Sequence, residues 1–239
     1  MIAVEVAVVL FLATVIRSAF GFGEALVAVP LLALAIPVKT AAPIAVLASI
    51  TVALVVVVQD WRHIHLRSAV WLVIPALFGI PIGLLVLKTV PEQAVKLVLA
   101  MVIIGFSVWS LLPRAPFELK SERLAGVFGF VSGILGGAYG MNGPPLAIYG
   151  SLRRWAPSNF RATLQGYFLP ASAAGMVGYG ISGLWTTTVN HLYLFSLPGV
   201  ALGIFLGRAI NRRLNPRQFV VYVHIVLIGI GVVLLVQAL

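Results

Sequence analysis

Two stretches decide how this chain is read: Arg17-Ser18-Ala19-Phe20-Gly21-Phe22-Gly23-Glu24 and Gly136-Gly137-Ala138-Tyr139-Gly140-Met141-Asn142-Gly143-Pro144. Each interrupts an apolar run with glycine, polar residues or proline. Runs 2–16 and 25–36 flank the first, and runs 124–135 and 145–152 flank the second. All four are shorter than the about 17–25 residues that a spanning helix needs. Glycine and proline break helices, and broken backbone at membrane depth survives only where it is buried in protein or lines a watery cavity. Each pair of short runs is therefore one discontinuous span or a re-entrant hairpin.

Working outward, six further stretches are long and apolar enough to span: 40–58, 69–87, 95–112, 164–182, 189–207 and 219–239. The composition agrees. Of 239 residues, 61% are hydrophobic and 9% charged, with mean hydropathy +1.10. Soluble domains run at about 45–50% apolar and about 25% charged, so a water-soluble enzyme or a nucleic-acid module is excluded. The net charge of +10 is then assigned to loops that orient the chain in the membrane. The absence of cysteine removes disulfides, thiolate nucleophiles and cysteine-based metal sites. Run 2–16 has no Lys or Arg before it, unlike a secretory signal, and is expected to stay in the membrane.

The two halves repeat each other. An offset of 119 pairs Gly21 with Gly140, Phe20 with Tyr139 and Ala28 with Ala147; an offset of 120 pairs Gly79 with Gly199, Gly83 with Gly203 and Lys88 with Arg208. The expected units are 1–119 and 120–239, together one transport domain. If each short pair returns to its own face, Arg62, Arg67, Arg114, Lys120, Arg123, Arg153, Arg154, Arg161, Arg208, Arg212, Arg213 and Arg217 share one side, against Lys39, Lys88 and Lys96. Treating each pair as a single crossing splits the cations more evenly between the two sides, so the positive-inside rule favours the first arrangement. Each half then crosses an odd number of times, which inverts the second relative to the first and places both termini outside the cytoplasm. The expected fold is all-α and membrane-embedded: two inverted repeats, each a broken or re-entrant hairpin plus three transmembrane helices. The expected location is the inner (plasma) membrane.

Inverted repeats with discontinuous helices at matching positions point to a secondary transporter. A half-helix N-terminus offers free N–H groups and about half a positive charge, which suits an anion. Gly21, Gly23, Gly140 and Gly143 sit at the breaks and are read as ligand-facing. Gly79/Gly83, Gly129/Gly133/Gly137 and Gly199/Gly203/Gly207, spaced by four, are read as helix-packing positions. Such stripes also allow a homodimer.

The paired segments Gly21-Phe22-Gly23-Glu24-Ala25-Leu26-Val27-Ala28-Val29-Pro30 and Gly136 through Pro145 resemble the duplicated glycine-rich motif of the TauE/SafE sulfite exporter family. The resemblance extends over essentially the whole chain in length, segment order and repetition. It implies a permease with two homologous halves, handling anions such as sulfite, sulfonates or sulfoacetate. The chain departs from the family pattern at Glu24, commonly a small residue there, and at Tyr149, often proline.

Ionisable residues inside the membrane are functional candidates by default. Arg17 is suited to an anionic sulfonate, sulfite or carboxylate through its planar fork of donors. Glu24 is suited to carry a coupling proton if burial favours its neutral form. The competing reading of both is a structural Arg17–Glu24 ion pair. Tyr139, Asn142 and Gln165 add neutral hydrogen-bonding groups, with Tyr167 and Tyr179 on the same span as Gln165. His63 and His65 read as solvated loop residues, and His191 and His224 as interfacial or satisfied. No metal or cofactor is expected, and no P-loop sequence occurs for ATP coupling. The expected function is a secondary carrier of small organosulfur anions, with protons as coupling ion and lipid as surroundings. The alternatives are an anion-selective channel or a carrier of small carboxylates. With no nucleophile elbow, HExxH or aspartate pair, an intramembrane enzyme is not expected.

Overall fold

The computed structural model describes residues 2–60, 66–112, 118–119, 121–122, 124–211 and 216–238. Arg62, His63, His65, Arg114, Lys120, Arg123, Arg212 and Arg213 lie outside the described residues. Among those described, all regular structure is helical. In chain order the helices are α1 (Ile2–Phe20), α2 (Glu24–Ala33), α3 (Val38–Asp60), α4 (Leu66–Thr89), α5 (Glu92–Leu111), α6 (Ala125–Tyr139), α7 (Gly143–Leu152), α8 (Pro157–Ile181), α9 (Thr187–Asn211) and α10 (Pro216–Ala238). This is an all-α membrane protein. Phe78, Ile181, Phe205 and Val236 stand exposed on its outer faces, an arrangement that suits lipid.

The breaks fall where the sequence places them, with one difference. Helix α1 runs on through Arg17, Ser18 and Ala19 to Phe20, rather than stopping at residue 16. At 19 residues it is about 28 Å long and is one of five described helices long and apolar enough to cross a membrane. The charge of Arg17 does not end the helix, because arginine is a good helix former. The chain leaves the helix at Gly21, φ 87°, and turns again at Gly23, φ 98°. Residues with a Cβ rarely enter this left-handed region. In the second half α6 ends at Gly140, φ 66°. Gly140 N–H donates to Gly136 O (2.8 Å) and Met141 N–H to Leu135 O (3.2 Å). Helix α7 then begins Gly143-Pro144-Pro145, where proline forfeits only N–H groups that a first helical turn leaves unpaired.

Packing follows the glycine stripes. Helix α6 lies on α4 so closely that a methyl at Gly129, Gly133 or Gly137 would collide with the backbone of Leu72, Ala76 or Ile80. Helix α1 lies on α9 in the same manner. There Gly203 sits against Phe11 and Thr14, and Gly207 against Val15 and Ser18. The first helix of each half thus packs on the fourth helix of the other, α10 packs on α5, and α3 packs on α8. Helix α3, the most deeply buried of the five candidate spans, lies against α2, α8 and α9. The two seams hold the two breaks in place at the centre.

Replacing Gly133 by leucine is expected to lower thermal stability in detergent, with an overpacking cost of at least about 1–3 kcal/mol. Gly105→Leu, at a position where an added Cβ meets nothing within 4 Å, is the control and should leave the melting temperature nearly unchanged.

Candidate functional site

Arg17 projects from the last turn of α1 into the protein interior, where it is 3% exposed and Glu24 is 1% exposed. A buried charge is tolerated only if paired and hydrogen-bonded, and the surroundings of Arg17 supply this. Its Nη1 donates to Glu24 Oε2 at 2.6 Å and to Ser49 Oγ on α3, and Nη2 donates to Gln165 Oε1 on α8 at 2.7 Å. The guanidinium lies 5.0 Å from the ring centre of Phe168, within cation–π range. Thr14 Oγ1 donates to Glu24 Oε1 at 3.1 Å. Gln165 in turn donates through Nε2 to Gly21 O at 2.6 Å. Arg17 Nε is buried with no hydrogen-bond partner.

Glu24 is the first residue of α2, so the carboxylate meeting Arg17 also sits at a helix N-terminus. The N-terminus of α7 borders the same cavity. Arg17, Glu24 and Ser49 share one cavity with Gly23, Ala25 and Leu26 of the first break, with Gly140, Met141, Asn142, Gly143 and Pro144 of the second, and with Phe168. Its space of about 20 Å³ is that of roughly one water, so a polyatomic anion enters only if the walls move. The first-turn N–H groups of α2, and that of Gly143, have no partner within their own helices. Pro144 and Pro145 contribute none. The cavity thus combines one guanidinium, one carboxylate and two half-helix N-termini in a water-poor interior.

The residues singled out in the sequence divide accordingly. Arg17, Gly23, Glu24, Gly140, Asn142 and Gly143 line the cavity. Gln165 and Gly21 stand behind it and hold the guanidinium and the break. Tyr139 is not among the lining residues, and its hydroxyl donates to Val95 O on α5 at 3.0 Å. Tyr179 likewise donates to Gly137 O at 3.0 Å. Asn142 packs its Oδ1 over Gly136, where a Cβ would collide with it, and Ser132 Oγ donates to the Asn142 carbonyl at 2.6 Å. His191 is exposed, while His224 is buried with Nδ1 3.3 Å from Ser107 Oγ. The competing reading is also visible: Arg17 and Glu24 do form an ion pair. Sequence reasoning missed Thr14, Ser49 and Phe168. A signal for two of them existed, because Ser49 and Phe168 are separated by the same 119 residues as Gly21 and Gly140.

Spanning helices, a doubled break and a buried anion-compatible cavity define a multi-pass membrane transporter. The sequence profile of the family described as Sulfite exporter TauE/SafE matches residues 6–234, and the chain belongs to that family. It is 27% identical over 236 residues to the "Probable sulfite/organosulfonate exporter TauE" of Cupriavidus necator, covering 95% of this chain and 91% of that protein. It is 34% identical over 128 residues to the "Probable membrane transporter protein YunE" of Bacillus subtilis, covering 52% of this chain and 45% of that one. No solved structure matches it.

Removing one partner of a buried ion pair costs about 3–5 kcal/mol, because the other charge is left uncompensated. Arg17→Ala and Glu24→Ala are each expected to lower stability by about that amount. The double variant should recover part of the loss, as read by thermal unfolding of the purified protein in detergent.

Proposed function

We propose that this chain is a secondary carrier of small organosulfur anions, such as sulfite or organosulfonates, moved together with protons. Its halves, 1–119 and 120–239, are proposed to act as inverted repeats of one transport unit. The observation that carries this reading is a buried arginine, in a cavity lined by two half-helix N-termini, whose counter-charge is a single carboxylate. An anion arriving at the cavity competes with Glu24 for the guanidinium. A proton taken up by Glu24 removes the competing charge, so Arg17 faces one anion throughout. Ser49, Gln165 and Phe168 hold the guanidinium while its partner changes. The unpartnered Nε and the free N–H groups at the two helix ends are the donors left for the oxygens of the substrate. Support for the organosulfur class comes from the family and from the printed name of the Cupriavidus necator relative. Support for alternating access over an open channel comes from the small size of the cavity, about 20 Å³, and from the positive-φ glycines at the breaks.

The test is anion flux into proteoliposomes with and without an imposed pH gradient, using sulfite and methanesulfonate. The wild-type protein is expected to carry them faster with the gradient. Glu24→Gln should fold and bind but lose the pH dependence; a well-folded variant with unchanged dependence would remove Glu24 from the coupling role. Arg17→Lys keeps the charge but loses the fork, and should weaken anion affinity roughly tenfold or more, the worth of one charge-assisted hydrogen bond.

Orientation has its own measurement. Reporter fusions are expected to place segments 62–67 and 208–217 in the cytoplasm and Leu239 outside. A cytoplasmic C-terminus would end the inverted arrangement.

A further inference from the structure

We infer that the cavity accepts a net-neutral load, one monoanion with one proton, and rejects dianions unless they enter singly protonated. The inference rests on the carrier reading above and narrows its substrate class by charge. It follows from a count of the charges that can act inside the protein. Among the described residues, Arg17 and Glu24 are the only buried side chains of the Arg, Lys, Asp and Glu types. The groups around Glu24 from each neighbouring helix are otherwise uncharged: Thr14 on α1, Ser49 on α3, Asn142 at the start of α7, and Gln165 and Phe168 on α8. From α10, His224 lies beyond Gly23 in an adjoining apolar pocket lined also by Phe22 and Val27, with its Nδ1 near Ser107 and its ring edge-on to Phe106. Helix ends add little net charge. The N-termini of α2 and α7 bring partial positive charge, but α1 and α6 end at the same breaks with their partial negative ends.

The balance is thus one positive charge against one negative. Arginine does not give up its proton, so the variable proton resides on Glu24 or on the substrate. In the empty site Arg17 and ionised Glu24 cancel. With a monoanion bound and Glu24 protonated they cancel again, and crossing the membrane moves no net charge. A dianion with one proton would leave an unbalanced negative charge in a water-poor interior, where ions are costly to strand. Protonated His224 is the one further cation the described interior could supply.

The experiment uses wild-type protein in proteoliposomes with the membrane potential clamped by potassium and valinomycin. Uptake of 2-hydroxyethanesulfonate is compared with that of ethane-1,2-disulfonate, which is similar in size and doubly charged at neutral pH, and lactate is compared with malonate. The expected result is hydroxyethanesulfonate flux that rises as the outside is acidified, is the same at either sign of potential, and exceeds disulfonate flux roughly tenfold or more, the discrimination that about 1.4 kcal/mol produces. In Glu24→Gln the load becomes the bare anion, so its remaining flux should follow the potential. Comparable disulfonate uptake, or wild-type flux driven by potential, would overturn the inference. So would acid-dependent disulfonate uptake that His224→Gln abolishes, because the site would then have two cations. If both sulfonates are inert while lactate is carried in preference to malonate, the organosulfur reading fails and the charge rule stands. If none of the four is carried, the carrier reading fails and takes the charge rule with it.

Discussion

The burial of one guanidinium constrains the centre of this protein. Arg17 sits in the last turn of a spanning helix whose other charged residue, Glu5, lies in the first turn, and leaving Arg17 unpaired there would be prohibitive. Its partner must be close in space, and Glu24 is only seven residues away. An uninterrupted helix would carry those residues about 10 Å apart along its axis. The break at Gly21 and Gly23 removes that separation, because their left-handed backbone folds the first residue of α2 back onto the last turn of α1. The helix break and the ion pair therefore require each other. Ser49 and Gln165 then draw α3 and α8 to the same point.

Holding such a break in place takes rigid neighbours, and the glycine seams provide them. The α1–α9 and α4–α6 contacts bring backbone against backbone. That closeness suits helices in lipid, where van der Waals packing has to replace the hydrophobic drive available in water. Each seam fastens the first helix of one half to the fourth helix of the other. The two breaks are thus positioned by the opposite halves of the chain.

Around the cavity, contacts recur at equivalent positions while the chemistry does not. Gly21 O accepts from Gln165, and Gly140 lies against Val46, the positions being related in both cases by 119 residues. Ser49 and Phe168, equivalent by the same offset, both touch Arg17. The position matching Arg17 is Gly136, and that matching Gly23 is Asn142. Asn142 lies over Gly136 and fills the space that a larger residue at 136 would need. The cavity consequently holds one arginine and one glutamate, although a left-handed glycine ends the helix at each of the two breaks.

Much of the architecture was legible in the sequence because a bilayer imposes one-dimensional rules. Hydropathy found the long helices, and glycine and proline marked both breaks through local backbone geometry. Helix α1, read as too short to span, is nevertheless among the five described candidate spans, and the stretch 164–182, which falls on α8, is not. The same rules misjudged the end of α1, because a charge interrupts an apolar run without interrupting a helix, arginine being a good helix former. The approach of Arg17 to Glu24 was readable as one option from their place in the same break. The role of Thr14 and the turning of Tyr139 away to Val95 were decided by tertiary structure alone, whereas Ser49 and Phe168 were linked in the sequence by their offset and given their contacts with Arg17 only by the fold. A hydroxyl or a ring in an apolar run satisfies the same hydropathy whichever way it faces, and only the packing of α3, α5 and α8 selects the direction.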